Sequence, residues 1–212
     1  MVGKYTIAKL PLAHEIETKE VLKKTLEASR ALAELKILAK SIPNENILIN
    51  TLSLQEAKYS SEIENIITTS DDLYKSNFDD AFFISKASKE VHNYAQALKI
   101  GKQELLKSNL LTNKLIKQIQ QQIEGNNAGF RTQIGTTLKD QDGKIIYTPP
   151  QDIVEIETLM TNLEMFINQD EISDLDPLIK MAIIHHQFES IHPFFDGNGR
   201  TGRIINILYL IK

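Results

Sequence analysis

One short stretch near the end of the chain constrains its fold and chemistry most: His192-Pro-Phe-Phe-Asp-Gly-Asn-Gly-Arg-Thr-Gly-Arg203. It lies between two apolar runs with helical character, which predicts a loop joining two helices. Gly197, Gly199 and Gly202 lack the side chains that would keep backbone N–H groups away from a bound anion. We expect the second helix to begin near Gly202 and to direct the positive end of its dipole at that anion.

The polar side chains of this stretch suit a phosphate site with a general base beside it. Arg200 and Arg203 are forked cationic donors of the kind that bind phosphate oxygens. Asp196 is a carboxylate that could hold a divalent ion against those phosphates. His192 is the one group of the stretch suited to moving a proton near neutral pH.

Composition narrows the class of protein. The chain has 212 residues, 42% of them hydrophobic, which is enough for one substantial core with room for a small second lobe. Its formal charge of −4 argues against a nucleic-acid-binding surface. The absence of cysteine excludes disulfides, thiolate metal sites and cysteine nucleophiles. Residues 1–12 lack the apolar segment of a signal peptide and no stretch suits a membrane span, so we expect a cytoplasmic protein.

Apolar residues recur at helical spacing through most of the chain. In the first such segment, one apolar face contains Val21, Ala28, Leu32, Leu35 and Ala39, with Lys and Glu opposite. Pro43 predicts a break after it. The predicted helices are 15–41, 47–66, 81–100, 105–123, 153–167 and a last one that begins at Pro177 and ends just before His192.

Residues 132–150 have a different pattern. β-Branched residues flank Asp142-Gly143, which predicts a hairpin with a two-residue turn. Pro149-Pro150 ends the second strand because proline cannot donate to the ladder. The sequence therefore predicts a mainly α fold with one inserted β-hairpin.

Three segments together resemble one known family. The stretch from His192 to Arg203 resembles the pattern of the Fic-domain family, His-x-Phe-x-Asp/Glu-Gly-Asn-Gly-Arg-x-x-Arg, at every specified position. The hairpin ending in Tyr147-Thr-Pro-Pro150 resembles the family's flap, and Gly129-Phe-Arg131 resembles the segment leading into it. Ser60-Ser-Glu-Ile-Glu-Asn65 resembles the inhibitory motif Ser/Thr-x-x-x-Glu-Gly/Asn of one subgroup.

The resemblance implies an architecture. We expect a Fic-like helical bundle with the hairpin as its flap. Residues 1–75 would form an N-terminal helical region carrying the inhibitory helix, and residues 76–212 the Fic core. Because the chain stops within the apolar run after Arg203, we expect that core to continue beyond Lys212. Members of the family often form dimers, so a homodimer is a further expectation.

The resemblance also implies an activity, the transfer of AMP from Mg-ATP to a Ser, Thr or Tyr hydroxyl of a target protein. His192 would be the general base, Asp196 would hold Mg²⁺, and Phe194 would face inward and anchor the loop. Asn198 would donate from its side chain to phosphate, and Arg200 and Arg203 would hold the β- and γ-phosphates. The nucleotide-binding residues expected are Asp196, Gly197, Asn198, Gly199, Arg200, Gly202, Arg203, Tyr147 and Thr148.

The flap and the inhibitory motif add two expectations. The free edge of the hairpin could align an extended target segment by β-augmentation, although the hairpin could instead only cover the core. Ser60 and Glu64 lie at positions i and i+4 on one helix face. If that helix packs against the loop, Glu64 would pair with Arg203 and remove a γ-phosphate ligand, unless it is merely an exposed helix charge. Placed there, it could also orient a water that hydrolyses the AMP adduct.

Three other functions stay open at this point, and the sequence does not address one of them, a DNA-associated regulator whose binding domain lies beyond Lys212. A relative could transfer UMP, phosphocholine or, in the Doc type, phosphate. The Doc pattern usually has Lys where this chain has Gly199, which favours nucleotidyl transfer. The fold could also serve as a catalytically silent nucleotide-binding module, but intact His192, Asp196 and both arginines argue against that.

Overall fold

The protein is a bundle of helices with one small hairpin. The structure, a computed structural model, describes residues 5–42, 45–71 and 85–212, and only the backbone of residues 45–50. The helices and the hairpin of these residues confirm the predicted mainly α fold with an inserted β-hairpin. The elements are α1 (Lys19–Lys40), α2 (Glu45–Glu62), α3 (Lys86–Ser108), α4 (Asn113–Glu124), β1 (Leu138–Lys139), β2 (Ile145–Tyr147), α5 (Ile153–Asn168), a 3-10 turn (Asp170–Ile172), α6 (Pro177–Ile191) and α7 (Asn198–Ile211).

Local side-chain chemistry sets most of these boundaries. The hydroxyl or carboxylate of Thr112, Asp152 and Asp176 accepts an orphan backbone N–H at the start of α4, α5 and α6. α3 runs past the predicted end at Ile100, and Asn109 ends it in the left-handed conformation with φ 55°. A helix beginning at Leu105 was therefore a wrong prediction. The predicted break at Pro43 and helix start at Ala81 lie outside the described residues.

The core lies between α3, α4, α5, α6 and α7. Its side chains are aliphatic or aromatic and fully buried, among them Ile119, Leu163, Phe188 and Leu208. Gly101 lets α3 approach its neighbours, because a Cβ there would lie 2.8 Å from Leu208 Cδ1 and 3.2 Å from Ile119 Cδ1. No helix among the described residues is long and apolar enough to cross a membrane.

The apolar face predicted for the first helix is not buried. α1 contains no buried residue, and Leu35 is 61% exposed. Helical periodicity shows that one face of a helix is apolar, but it does not show which element covers that face. In the structure α1 rests mainly against α6. The predicted helix is therefore present, but its apolar face is not part of the core.

The hairpin turn is longer than predicted. The turn runs from Asp140 to Gly143 and is closed by the Gly143 N–H donating to the Asp140 carbonyl at 3.0 Å. The Asp140 carboxylate also accepts the backbone N–H groups of Asp142, at 3.1 Å, and Lys144, at 2.9 Å. These side-chain bonds stabilise a wider turn with Gly143 at φ 79°, so the predicted two-residue turn was wrong. The strands it joins are antiparallel, as predicted.

Replacing Gly101 tests the close packing of α3. Gly101→Val should lower the free energy of unfolding by about 2 kcal/mol, because its branched side chain would force Leu208 and Ile119 apart. Urea denaturation of the chain and the variant measures this change. Lys99→Val, at an exposed position of the same helix, is the control and should cost less than about 1 kcal/mol. Equal losses for the two variants would contradict the packing.

Candidate active site

The stretch His192–Arg203 forms a tight turn between α6 and α7. His192 ends α6 in the left-handed conformation, with φ 49° and its N–H donating to the Phe188 carbonyl at 2.9 Å. Gly197 precedes α7 with φ 78°, and α7 begins at Asn198. The predicted start near Gly202 was therefore wrong. Since glycine is tolerated within a packed helix, its presence there did not mark a loop.

The side chain of Asn198 closes the turn. Its Oδ1 accepts the Phe194 N–H at 2.9 Å, and its Nδ2 donates to the Phe194 carbonyl at 2.8 Å. Phe194 is fully buried against the rings of Phe130 and Phe188, which confirms that it faces inward. The side chain of Asn198 thus binds the loop itself, which corrects the expectation that it donates to phosphate.

Buried Arg131 positions His192, a role that the sequence did not predict. Arg131 Nε donates to the His192 carbonyl at 2.8 Å, and the Arg131 N–H donates to the Pro193 carbonyl at 2.9 Å. Its guanidinium also donates to the Pro150 carbonyl at the end of the flap. Arg131 therefore ties the segment before the flap, the flap itself and the end of α6 together. Its place in Gly129-Phe-Arg131 was the available signal.

The environment of His192 favours the neutral imidazole. Burial lowers the pKa of His192, and the nearby charge of Arg131 lowers it further. The Glu189 carbonyl and the carboxylates of Asp196 and Glu64 partly oppose this lowering of the pKa. A neutral imidazole near pH 7 can accept a proton, as a general base must.

His192 and the start of α7 line one cavity of about 660 Å³. Its other lining residues come from the ends of α2, α3 and α4. Tyr147 and Thr148 do not line it, and the Tyr147 hydroxyl donates to the Ser190 carbonyl of α6 at 2.7 Å. Those two expected nucleotide ligands are therefore not brought into this cavity. Besides His192, the titratable residues that line it are Glu64, Lys86, Lys89, Glu90, Glu124, Asp196 and Arg200.

Asp196 is the acid of the cavity most open to solvent, with its side chain 71% exposed. Its Oδ1 accepts the Gly197 N–H at 2.7 Å and lies 3.9 Å from the Arg200 guanidinium. Among the described residues no three histidines or acids are grouped to hold a metal. Mg²⁺ bound with nucleotides often uses only one or two carboxylates, with phosphates and water completing its shell, so Asp196 fits that use.

The predicted contact between Glu64 and Arg203 is present. Arg203 Nη2 donates to Glu64 Oε1 at 2.8 Å and to the Ser60 carbonyl at 2.9 Å. Arg203 Nε donates to the Ser60 hydroxyl at 2.6 Å. The segment Ser60–Asn65 and the loop therefore meet at one guanidinium, with Ser60 buried and Glu64 39% exposed.

The position of Glu64 depends on how α2 ends. α2 stops at Glu62, so the helix predicted to reach Ile66 was too long. Asn65 has φ 61°, its N–H donates to the Glu62 carbonyl at 3.0 Å, and the Ile66 N–H donates to the Ser61 carbonyl at 3.0 Å. These bonds form a Schellman cap, which needs glycine or asparagine at its left-handed position. Asn65 therefore turns the chain so that Glu64 faces Arg203.

Two glycines of α7 leave room for carboxylate side chains from other parts of the chain. A Cβ on Gly199 would collide with Glu64 Oε1 and lie 3.2 Å from Arg203 Nη1. A Cβ on Gly202 would collide with Glu189 Oε1. Both residues are helical, so the space they leave matters more here than their backbone freedom.

Arg200 also has acidic partners, which sequence reasoning missed. Its Nη2 donates to Glu124 Oε1 at 2.6 Å, and its Nη1 donates to Glu90 Oε2 at 3.4 Å. Burial raises the pKa of Glu124, the charge of Arg200 opposes that rise, and Asp196 and Glu90 add to it. Nothing in the local sequence of α3 or α4 distinguishes these two glutamates from solvated helix charges.

Comparison with known families agrees with this geometry. The model of the Fic/DOC family N-terminal region matches residues 22–103, and the model of the Fic/DOC family matches residues 110–210. The chain belongs to the Fic/DOC family. This confirms the family that the stretch His192–Arg203 indicated.

Relatives named protein adenylyltransferase Fic match this chain over a short segment only. The protein adenylyltransferase Fic of Drosophila erecta is 41% identical over 58 residues, which are 27% of this chain and 12% of that protein. The protein of the same name from Drosophila melanogaster is 39% identical over 58 residues with the same coverage. The match therefore spans only 12% of the length of these relatives.

Solved structures of the family share the fold. A Fic family protein from Desulfovibrio desulfuricans aligns over 92% of this chain and 58% of its own, with a TM-score of 0.72 and 21% identity. Fic-1 from C. elegans aligns over 92% of this chain and 59% of its own, with a TM-score of 0.70 and 17% identity. At such identities these similarities establish the fold.

Glu189 should make stability depend on pH. Burial raises its pKa from 4.5 to about 7, Arg203 opposes this rise, and Glu64 adds to it. Because the folded state holds this proton more tightly than the unfolded state, its stabilisation is complete below pH 4.5 and is lost as the pH rises through about 7.

Glu189→Gln removes that titration. Relative to the unchanged chain, the variant should gain about 2–3 kcal/mol of unfolding free energy between pH 5 and pH 8. Urea denaturation at several pH values measures the difference. Parallel pH curves for the two proteins would show that Glu189 does not titrate in this range.

Proposed function

We propose that the chain is a protein adenylyltransferase that moves AMP from ATP to a serine, threonine or tyrosine hydroxyl of a target protein and is restrained by Glu64. The observation that carries this proposal is that His192 and the start of α7 line one cavity. Family membership and the name of the Drosophila relatives support it. A cytoplasmic location and a homodimer stay predictions from the sequence.

His192 would activate the acceptor. A protein hydroxyl is a weak nucleophile until a base removes its proton, and burial favours the neutral imidazole that can do so. The hydroxyl oxygen then bonds to the α-phosphorus, the bond from that phosphorus to the bridging oxygen breaks, and pyrophosphate leaves. Arg131 holds the backbone carbonyl of His192, so it keeps the base in place without touching the reacting atoms.

The start of α7 would stabilise the negative charge on the phosphates. The first N–H groups of a helix have no partner within it, and Gly197 makes no side-chain cap that would occupy them. Asp196 would hold Mg²⁺, which supplies positive charge to the phosphates when bound. Arg203 would bind the γ-phosphate once Glu64 is displaced, because its guanidinium is otherwise engaged by Glu64 and Ser60.

The flap would present the target. Ile145 and Ile146 on β2 are 52% and 60% exposed, and Ile134 before the hairpin is also exposed. A short two-stranded sheet with exposed apolar side chains can accept an extended segment along its edge. Backbone bonding of this kind would orient a hydroxyl with little selection for the target's sequence.

Glu64 would keep the enzyme off most of the time. Its carboxylate bonds to the arginine that would otherwise bind the γ-phosphate, so a triphosphate must compete with it. Activity would then follow the fraction of molecules in which Glu64 is displaced. Since Glu64 lines the same cavity as His192, hydrolysis of the AMP adduct is a second candidate activity.

Labelling with ATP tests the proposal. Glu64→Gly, incubated with Mg²⁺ and ATP labelled at the α-phosphorus, should label protein about five-fold more than the unchanged chain. This factor corresponds to losing about 1 kcal/mol of competition at Arg203, as expected for a partly exposed ion pair. Glu62→Gly, in the same turn, removes a carboxylate that pairs with Lys58 at 3.7 Å instead of with Arg203, so it is the matched control and should label like the unchanged chain.

Two further reactions separate the alternatives. Adding His192→Ala to Glu64→Gly should abolish labelling, and labelling that persisted would exclude His192 as the base. With ATP labelled at the γ-phosphorus, adenylyl transfer leaves no label on protein, whereas phosphoryl transfer does. No labelling with either ATP, despite bound nucleotide, would support a silent binding module instead.

A further inference from the structure

The two arginines of the loop are held in parallel ways by acids from different helices. Arg203 bonds to Glu64, which follows α2, and Arg200 bonds to Glu124, the last residue of α4. In each pair a glycine of the loop or of α7 makes room for the carboxylate. A Cβ on Gly199 would collide with Glu64, and a Cβ on Gly197 would lie 2.6 Å from Glu124 Oε1.

Glu124 lies where an anion would bind. Its side chain is 14% exposed and lines the cavity that contains His192. The same oxygen, Oε1, accepts from Arg200 Nη2 and lies against Gly197, the residue that precedes α7. The start of a helix attracts negative charge, and in this structure a carboxylate of the chain itself occupies that neighbourhood.

We propose that Glu124 is a specificity-determining residue of the phosphate site. Because Glu124 holds Arg200, the β-phosphate of a nucleotide strengthens binding less than it would beside an unpaired arginine. This inference rests on the proposed function, which brings a nucleotide to this loop. It concerns the second arginine–carboxylate pair, Arg200–Glu124, and is independent of the release of Glu64 from Arg203.

The contacts of Arg200 explain why its charge is not free. Nη2 is bonded to Glu124, Nη1 reaches Glu90 at 3.4 Å, and Nε is buried without a hydrogen-bond partner among the described residues. A phosphate approaching this guanidinium would have to share Nη2 with Glu124 and would be repelled by its carboxylate. Removing the charge of Glu124 while keeping its shape would weaken its bond to Arg200 and remove the repulsion of a phosphate.

The effect should depend on the number of phosphate groups. AMP has no β-phosphate, so its affinity reports on the loop amides and on the adenosine contacts. ADP and ATP carry the group that would reach Arg200. A role of Glu124 in folding alone would alter the affinity for all three nucleotides by the same factor, whereas the proposed role alters it for ADP and ATP only.

Titration calorimetry with AMP, ADP and ATP in Mg²⁺ tests this inference. The full chain carries Glu64→Gly to free Arg203 and His192→Ala to prevent transfer, each with and without Glu124→Gln. Glu124→Gln should increase the affinity for ADP and ATP about ten-fold, which is the equivalent of one charge-assisted hydrogen bond. The affinity for AMP should change less than about two-fold. No tightening, or an equal factor for AMP, would overturn the proposal.

Two variants guard against an effect on folding. Glu90→Gln removes the more distant acid from the same guanidinium without approaching Gly197, so it should change ADP affinity less than about three-fold. Glu124→Asp withdraws the carboxylate by one methylene and should give the same trend with a smaller factor. If circular dichroism shows Glu124→Gln to be unfolded, the aspartate variant decides, and unchanged ADP affinity in it would refute the proposal.

These measurements are separate from the test of catalysis. The binding series uses a chain without its base, so it does not depend on which group is transferred. Loss of labelling in the Glu64→Gly chain, with the ADP and ATP pattern intact, would reject adenylyl transfer and keep the role of Glu124. Labelling with no change on Glu124→Gln would keep the enzyme and reject that role.

Discussion

The pair of hydrogen bonds between the Asn198 side chain and the Phe194 backbone holds the geometry of the whole site. These bonds fix the turn from α6 to α7, and buried Phe194 anchors that turn in the core. His192 stands on one side of the turn and the free N–H groups of α7 on the other, so their relative position follows from it. Arg131 secures the same turn from the flap side by bonding to the His192 carbonyl. A buried amide with both polar atoms bonded gives such a turn one conformation, since any other would leave these groups unpaired.

The close approach of two carboxylates to this turn explains its glycines better than access for phosphate alone. Glu64 and Glu124 each approach α7 so closely that a side chain at Gly199 or Gly197 would exclude them. The arginines that suit phosphate are therefore paired with carboxylates of the chain itself. Such pairing gives both guanidinium groups an opposite charge before a ligand arrives. Phosphate binding at these arginines would therefore be an exchange of anions, and its free energy would be smaller than that of binding to an unpaired arginine.

Local signals in the sequence predicted the loop, the place of His192 at its start and the contact of Glu64 with Arg203, because each depends on short-range chemistry or on a recurrent motif. The boundaries of α2 and α7 were misjudged where one left-handed residue, Asn65 or Gly197, decides them. The partners of Arg200 were not predictable, since Glu90 and Glu124 meet it only through the packing of α3 and α4 against α7. For the same reason the sequence predicted that α1 has an apolar face but did not predict that this face is exposed.

The proposed restraint by Glu64 would be weak. Ser60 is buried and bonds to Arg203 through both its hydroxyl and its carbonyl, so the guanidinium keeps its place when Glu64 leaves. Glu64 itself is 39% exposed and stands in a turn beyond the end of α2. An ion pair this accessible to water contributes on the order of 1 kcal/mol. A partner or ligand that binds near the end of α2 therefore needs a difference in affinity of about 2 kcal/mol between the two states to displace Glu64 in most molecules. Arg203 would then be free for phosphate without any rearrangement of the core.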